Sequence, residues 1–347
     1  MTEKKDANIT YLGRTFRTSI TKPLTDEEYQ DIVDYINQRP SKEDAIEELI
    51  KLRDGGLKIS NITGYYYLSL MYDTRNGQDA WCVNDALKNK KIMEYFNGKC
   101  AVNTKVFPLS KPLGERILTA FRLCGLRCCR KVPQFPLKTI NELLECYCKE
   151  GDNYLDFSCG WGVRCLSSLI HNVNYFGTDP NKKLVDKILE MVDNYKDIDP
   201  KCNSMVDIKP IGSEIYVPEW EDKMDFIFTS PPYFALEIYK SDGQSYKDGM
   251  TYNEWLETWM KPTIKNMHRY LKEDGKFAIN IKDIMYEKKW FPLEKDTLDI
   301  IIGSGFVLED VKTLKNIKRS FGSVHWEKHT LGVNEKGDEK IFVFRKA

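Results

Sequence analysis

"NYLDFSCGWGVRCLSSLIHNVNYFGTDP" runs from Asn153 to Pro180. It reads as a short strand, "NYLDFS", a glycine-rich turn, a helix, "GVRCLSSLIHN", and a second strand, "VNYFGTD". Strand, helix, strand at this spacing is the unit of a parallel sheet covered by helices. The same grammar continues downstream. "KKLVDKILEMVDNY" is a helix, "MVDIKPIG" and "MDFIFTS" are strands, and "YNEWLETWMKPTIKNMHRYL" is a helix kinked at Pro262. "GKFAINIKD" is a strand, "PLEKDTLDIIIGSG" a helix, and "FVLEDVKTLK" and "KIFVFRKA" close as a hairpin-like pair. The expected fold is α/β, a doubly wound Rossmann-like sheet.

Upstream the pattern differs. Residues 25–37 read as a helix capped by Thr25, and 42–54 as a second, capped by Ser41 and ended by Gly55-Gly56. "NITGYYYLSLMY" and "VNDALKNKKIMEYF" read as further helices, with the tyrosines at core spacing. The first 105 or so residues are expected to be mainly α-helical, with no strand–helix alternation. The expected division is a helical N-terminal region, 1–130, followed by the sheet domain, 131–347.

Apolar residues make up 41% of the 347, charged residues 30%, and net charge is zero, so any polyanion site must come from local clustering. Such a cluster exists. Residues 101–140 hold eight cations against one acid, Glu115, a local net of +7. Arg122, Arg127, Arg130 and Lys131 are its candidate phosphate contacts, and Lys318 and Arg319 are candidates in a second basic stretch. No leader and no apolar run of membrane-spanning length is visible, so the expected location is cytoplasmic. The ten cysteines include no C-x-x-C pair, and His325 and His329 have no evident third ligand, so no metal is expected.

The chemistry gathers at strand ends. Gly160 and Gly162 allow a backbone to approach a nucleotide-like ligand. Asp179, at the tip of the next strand, is placed to accept the ribose hydroxyls of an adenosine, or else to cap the following helix with Pro180 at its first turn. After "MDFIFT" come Ser230, Pro231, Pro232 and Tyr233. The two prolines lack N–H groups and present carbonyls in fixed directions, with an aromatic ring beside them.

Taken together, "DFSCGWG", "GTDP" and "TSPPYF" resemble the AdoMet-dependent amino-methyltransferases of DNA, which methylate N4 of cytosine or N6 of adenine. The resemblance covers about residues 130–347 and implies a Rossmann-like methyltransferase sheet with S-adenosyl-L-methionine as cofactor. It assigns Asp156, Ser158, Gly160, Gly162 and Asp179 to the cofactor, with Pro136 and Lys138 at the head of the family's extra segment and Ser213 in a blurred third motif. Ser158 stands where the family has phenylalanine, and Trp161 where it has a small residue. Ser230, Pro231, Pro232 and Tyr233 would be the catalytic set. The Ser230 hydroxyl and the Pro231 carbonyl would accept from the target amine, and the Tyr233 ring would stack on a flipped base. No proline precedes a cysteine, which disfavours C5 methylation.

The implied partner is DNA, with RNA still open, and a restriction partner or a homo-oligomeric state is left open alongside. Serine in the first motif position leans toward cytosine N4. Adenine N6 is the runner-up, and a catalytically silent AdoMet-binding subunit or an RNA or protein amine methyltransferase are rivals. Target recognition falls to the N-terminal 130 residues, to "EIYKSDGQSYKDGMTY", or to "NIKRSFGSVHWEKH".

Overall fold

The computed structural model describes all residues except 1–6, 12–13, 19–20, 77–81, 124–133, 240, 242, 288 and 315–338. The chain forms two compact units. One comprises Met1–Leu49, Lys58–Pro133 and Ala235–Lys240; the other comprises Ile50–Leu57, Gln134–Phe234 and Ser241–Ala347.

The first unit is mainly helical: α1 (Asp26–Asn37), α2 (Lys42–Arg53), which runs on into the second unit, α3 (Ser60–Asp73), α4 (Val83–Leu87), α5 (Lys90–Val102) and α6 (Leu113–Leu123). Thr25 and Glu28 cap α1 reciprocally, each side chain accepting from the other's backbone N–H. Ile32, Ile36, Phe96, Phe107, Ile117 and Phe121 lie in one apolar core. The helix expected over 83–96 breaks at Lys88, because the Asn89 side chain accepts from Ile92 N–H and starts a new helix. The unit also holds short strands. Ala7–Tyr11 and Arg14–Thr18 form an antiparallel hairpin, and Arg75–Asn76 pairs with Glu237–Ile238.

The second unit is built on seven strands: β1 (Asn153–Asp156), β2 (Asn174–Thr178), β3 (Val206–Lys209), β4 (Met224–Thr229), β5 (Leu271–Ile281), β6 (Phe306–Leu314) and β7 (Glu339–Lys346). Their order across the sheet is β6-β7-β5-β4-β1-β2-β3. The first five are parallel, and β7 enters antiparallel between β5 and β6. This is a doubly wound Rossmann-like sheet. Helices α7 (Leu137–Tyr147), α8 (Val163–Ile170) and α9 (Lys182–Ile198) accompany its first half. Further on, Tyr252–Trp255 (α10) continues through a π turn, Leu256–Met260, into Lys261–Tyr270 (α11), and Leu293–Gly303 (α12) follows. The π turn sits just ahead of Pro262, where the missing N–H and the ring would disrupt an unbroken α-helical ladder.

No helix among the described residues is long and apolar enough to cross a membrane. Nor do three His, Cys, Asp or Glu side chains among them stand together as metal ligands.

Candidate active site

Parallel strands deliver their carboxyl ends to one edge, and the chain reverses direction across the sheet between β1 and β4. Ligands of doubly wound sheets bind there. The turn after β1 is held from below. Asp156 is completely buried, and its carboxylate accepts from Arg164 Nε (2.7 Å), Tyr175 OH (2.8 Å), Thr229 Oγ1 (2.8 Å) and Ser158 N (3.2 Å). These partners come from α8, β2, β4 and the turn itself. Arg164 also donates to the Ser158 carbonyl, and its guanidinium lies 5.9 Å from the Phe135 ring centre. Asp156, expected among the cofactor residues, thus sits beneath the glycine turn. Its lone pairs are taken up inside the protein, and it organises the turn.

Gly160 and Gly162 adopt φ +54° and +67°, a region that residues with a Cβ enter at a cost, and Gly162 opens α8. Gly177 matters for another reason. A Cβ there would meet Cys159 Sγ at 2.5 Å, so only glycine lets the turn settle against β2. The Ser158 hydroxyl donates to the Phe157 carbonyl.

Asp179 follows β2. Asn181, not Asp179, caps α9, its side chain accepting from Leu184 N–H at 3.3 Å, so the capping alternative for Asp179 is set aside. The Asp179 carboxylate accepts from Asn181 N–H at 3.0 Å, and the Gly160 N–H lies near it. Burial pushes its pKa up to about 7 and nearby Asp156 adds to the rise, while those two N–H groups and Arg164 oppose it.

Other cofactor assignments fare differently. Pro136 stands at the start of α7, next to Phe135, which packs edge-on against Phe228 of β4 at 5.1 Å. Lys138 turns to solvent and pairs with Glu142 at 3.8 Å, one turn along the same helix. Ser213 is buried against α11, its hydroxyl 2.9 Å from that of Thr263 and its carbonyl accepting from Asn266. Both groups thus have partners within the protein.

Thr229, which anchors to Asp156, immediately precedes Ser230. One hydrogen bond thus joins the first residue of the glycine turn to the doorstep of the proline motif. The Ser230 hydroxyl lies 3.5 Å from the Tyr233 hydroxyl, which donates to the Asn280 carbonyl on β5 at 3.2 Å. Asn280 is itself buried and donates to the Lys340 carbonyl of β7. Phe234 closes the motif with φ +51°, rare for a bulky side chain. The rings of Tyr246, Tyr252, Trp255, Tyr286 and Phe291 surround it at 5.2–5.9 Å between centres. Beyond it, a Cβ on Gly243 would reach 2.6 Å from Pro180, so the loop after the motif lies against the residue following Asp179.

Sequence reasoning did not single out Arg164, Tyr175, Thr229 or Asn280. A signal was present for two: Arg164 is the one charged residue in "GVRCLSSLI", and Asn280 interrupts the apolar run "FAINI".

Of the basic candidates, Arg127, Arg130, Lys131, Lys318 and Arg319 lie outside the described residues, as does the side chain of Arg122. Within 101–140, Lys111 pairs with Glu115 at 3.1 Å and Arg116 donates to the Cys100 carbonyl, so part of the charge excess is satisfied locally.

Residues 224–347 match a family model described as DNA methylase, of the N6/N4 type. The resemblance to the DNA amino-methyltransferases stands. The match opens on β4 and takes in the serine-proline motif, while the glycine turn lies ahead of it. No curated protein sequence matches the chain. Among solved structures, the TehB-like SAM-dependent methyltransferase of Corynebacterium glutamicum aligns with TM-score 0.37 and 17% identity over 60% of this chain and 87% of that one. An rRNA methylase of Streptococcus thermophilus aligns with TM-score 0.36 and 12% identity over 62% and 98%. The 1,6-didemethyltoxoflavin-N1-methyltransferase of Burkholderia thailandensis, solved with S-adenosylhomocysteine, aligns with TM-score 0.39 and 10% identity over 61% and 78%.

Proposed function

We propose that this chain transfers a methyl group from AdoMet to an exocyclic amine of DNA, and that the amine is N4 of cytosine. The observation that carries the reading is the Thr229–Asp156 hydrogen bond, which couples the Ser230–Tyr233 motif to the glycine turn at one sheet edge.

The residues present suit AdoMet. Thr178 Oγ1, at the end of β2 just before Asp179, is buried without a hydrogen-bond partner among the described residues, which favours a polar ligand beside it. Asp179 would accept from its ribose hydroxyls, and the positive-φ glycines would let the backbone close on it. When bound, the cofactor supplies an electrophilic methyl carbon on a sulfonium.

The protein's part is to make a conjugated amine nucleophilic and to hold it still. The Ser230 hydroxyl and the Pro231 carbonyl accept from its two N–H bonds, drawing the nitrogen toward a pyramidal shape with a directed lone pair. The Tyr233 ring gives the extruded base a face to stack on, and its hydroxyl, tied to β5, sets the plane of that ring. Serine rather than an acid or amide in the first position inclines the choice to cytosine.

Mass spectrometry of nucleosides from DNA treated with protein and AdoMet tests the reading. N4-methylcytosine is expected, and N6-methyladenine would overturn the base assignment. Ser230→Ala should lower the rate about 100- to 1,000-fold, as loss of a transition-state hydrogen bond does, with AdoMet affinity unchanged. A fully active Ser230→Ala protein would sink the catalytic role of the motif.

A further inference from the structure

The two most exposed large apolar side chains among the described residues, Leu109 (71%) and Val102 (59%), lie in the connector between α5 and α6 and at the last residue of α5, with Val106 (44%) between them. Every residue from 102 to 112 is exposed except Phe107, which is 2% exposed and lies in the core of the helical unit. The connector is not loose. Val106 and Phe107 N–H both donate to the Asn103 carbonyl (3.1 and 2.9 Å), and Lys111 N–H donates to the Pro108 carbonyl (3.1 Å). Pro108 and Pro112 fix two further φ angles. Leu109 is therefore held outward at the tip of a hydrogen-bonded turn, nailed down by Phe107.

The charge around this tip has one sign. Lys99, Lys105 and Lys111 lie between Glu94 and Glu115, an interval with no acid. Lys99 extends over the Tyr95 ring, and Lys111 pairs with Glu115 across solvent, a contact worth little in water that a phosphate can replace. A convex apolar point flanked by cations suits a partner that offers an apolar slot between rows of negative charge. Stacked base pairs between phosphate backbones have that form, and leucine is among the side chains that wedge between them.

We infer that the 102–111 connector is a DNA contact in which Leu109 inserts at a base step while Lys105 and Lys111 meet the flanking phosphates. The inference rests on the DNA-methyltransferase reading and adds a contact surface away from the sheet edge.

Fluorescence anisotropy of a mixed-sequence duplex against the full chain, repeated across a salt series, tests it. Leu109→Ala should weaken binding about tenfold with an unchanged salt slope, since it removes unstacking contacts and not charge. Lys105→Ala with Lys111→Ala should reduce the log–log salt slope by about two. In duplexes carrying 2-aminopurine, binding of the parent protein should raise the fluorescence, and binding of Leu109→Ala should not. Leu109→Glu guards against a tolerant site, and as these side chains are exposed, melting temperature and AdoMet affinity should stay put. A parent protein that methylates DNA while the variants bind like it would overturn the inference alone. A parent protein that neither binds nor methylates duplex DNA would overturn the function and the inference with it. Variants that lose self-association but keep DNA binding would reassign the surface to a second copy of the chain, against the inference.

Discussion

The turns that follow β1 and β4 stand side by side at the same sheet edge, yet they are held by opposite means. The first is tied by a buried charge pair and a fan of hydrogen bonds onto Asp156. The second has two prolines without donors and ends in Phe234, enclosed by five aromatic rings. Hydrogen bonds fix direction as well as distance, so a buried carboxylate sets the shape of a turn whose Ser158 and Cys159 N–H groups are spent inside the protein. A turn that presents carbonyls has few donors to spend, and its shape comes from restricted φ angles and ring packing. Thr229 is where the two systems meet.

Breaking the charged hold should have the largest effect. Asp156→Ala leaves Arg164 buried without its counter-charge and should cost about 3–5 kcal/mol in chemical denaturation. Adding Arg164→Met should recover much of that loss, whereas equal stability of the single and parent proteins would mean that the pair holds nothing. On the aromatic side, Phe234→Ala should cost about 3 kcal/mol, the low end for emptying a buried phenylalanine site. Its signature should be local, with protease sensitivity rising in residues 235–250 more than near Gly160. A uniform rise would show that the two turns are one cooperative piece.

Smaller still is the pH effect centred on Asp179. Its carboxyl goes from an ordinary 3.8 to about 7 on folding, so the folded chain binds the proton more tightly. Its contribution to stability is then full below about pH 3.8 and is lost as pH rises through about 7. Binding runs the other way, because ribose hydroxyls need the ionised acceptor. AdoMet affinity by calorimetry should rise about tenfold from about pH 6 to about pH 8, and Asp179→Asn should flatten that rise. A pH response that survives in the variant would place the titrating group elsewhere. The smallest change is Tyr233→Phe, which keeps the ring and removes the donor to Asn280. A loss of about 0.5–1.5 kcal/mol, or about two- to tenfold in turnover, is expected. If turnover is untouched while Tyr233→Ala is inactive, stacking alone explains the residue and its tie to β5 is incidental.

Much of this comparison was legible before any coordinates. Strand–helix alternation from 153, glycines at 160 and 162, the acid at 179 and the serine-proline motif are local patterns, each set by what neighbouring residues permit. The helix caps at Thr25 and Ser41 were legible for the same reason. Partner choice was not. Asp156 reads like a ligand-facing acid until Arg164, Tyr175 and Thr229 arrive from three other elements. The partner of Ser213, Thr263 on α11, lies fifty residues further on and is equally hidden in the sequence.

The sequence by itself determined the order of strands and helices, the places where backbone must turn with positive φ, and the stiffness of the proline loop, because these depend on short-range sterics and apolar periodicity. Only the tertiary structure decided which polar groups are used up inside the protein and which remain for a ligand. A side chain's partners are found through space, and burial makes each unpaired donor or acceptor costly enough that the fold assigns nearly all of them.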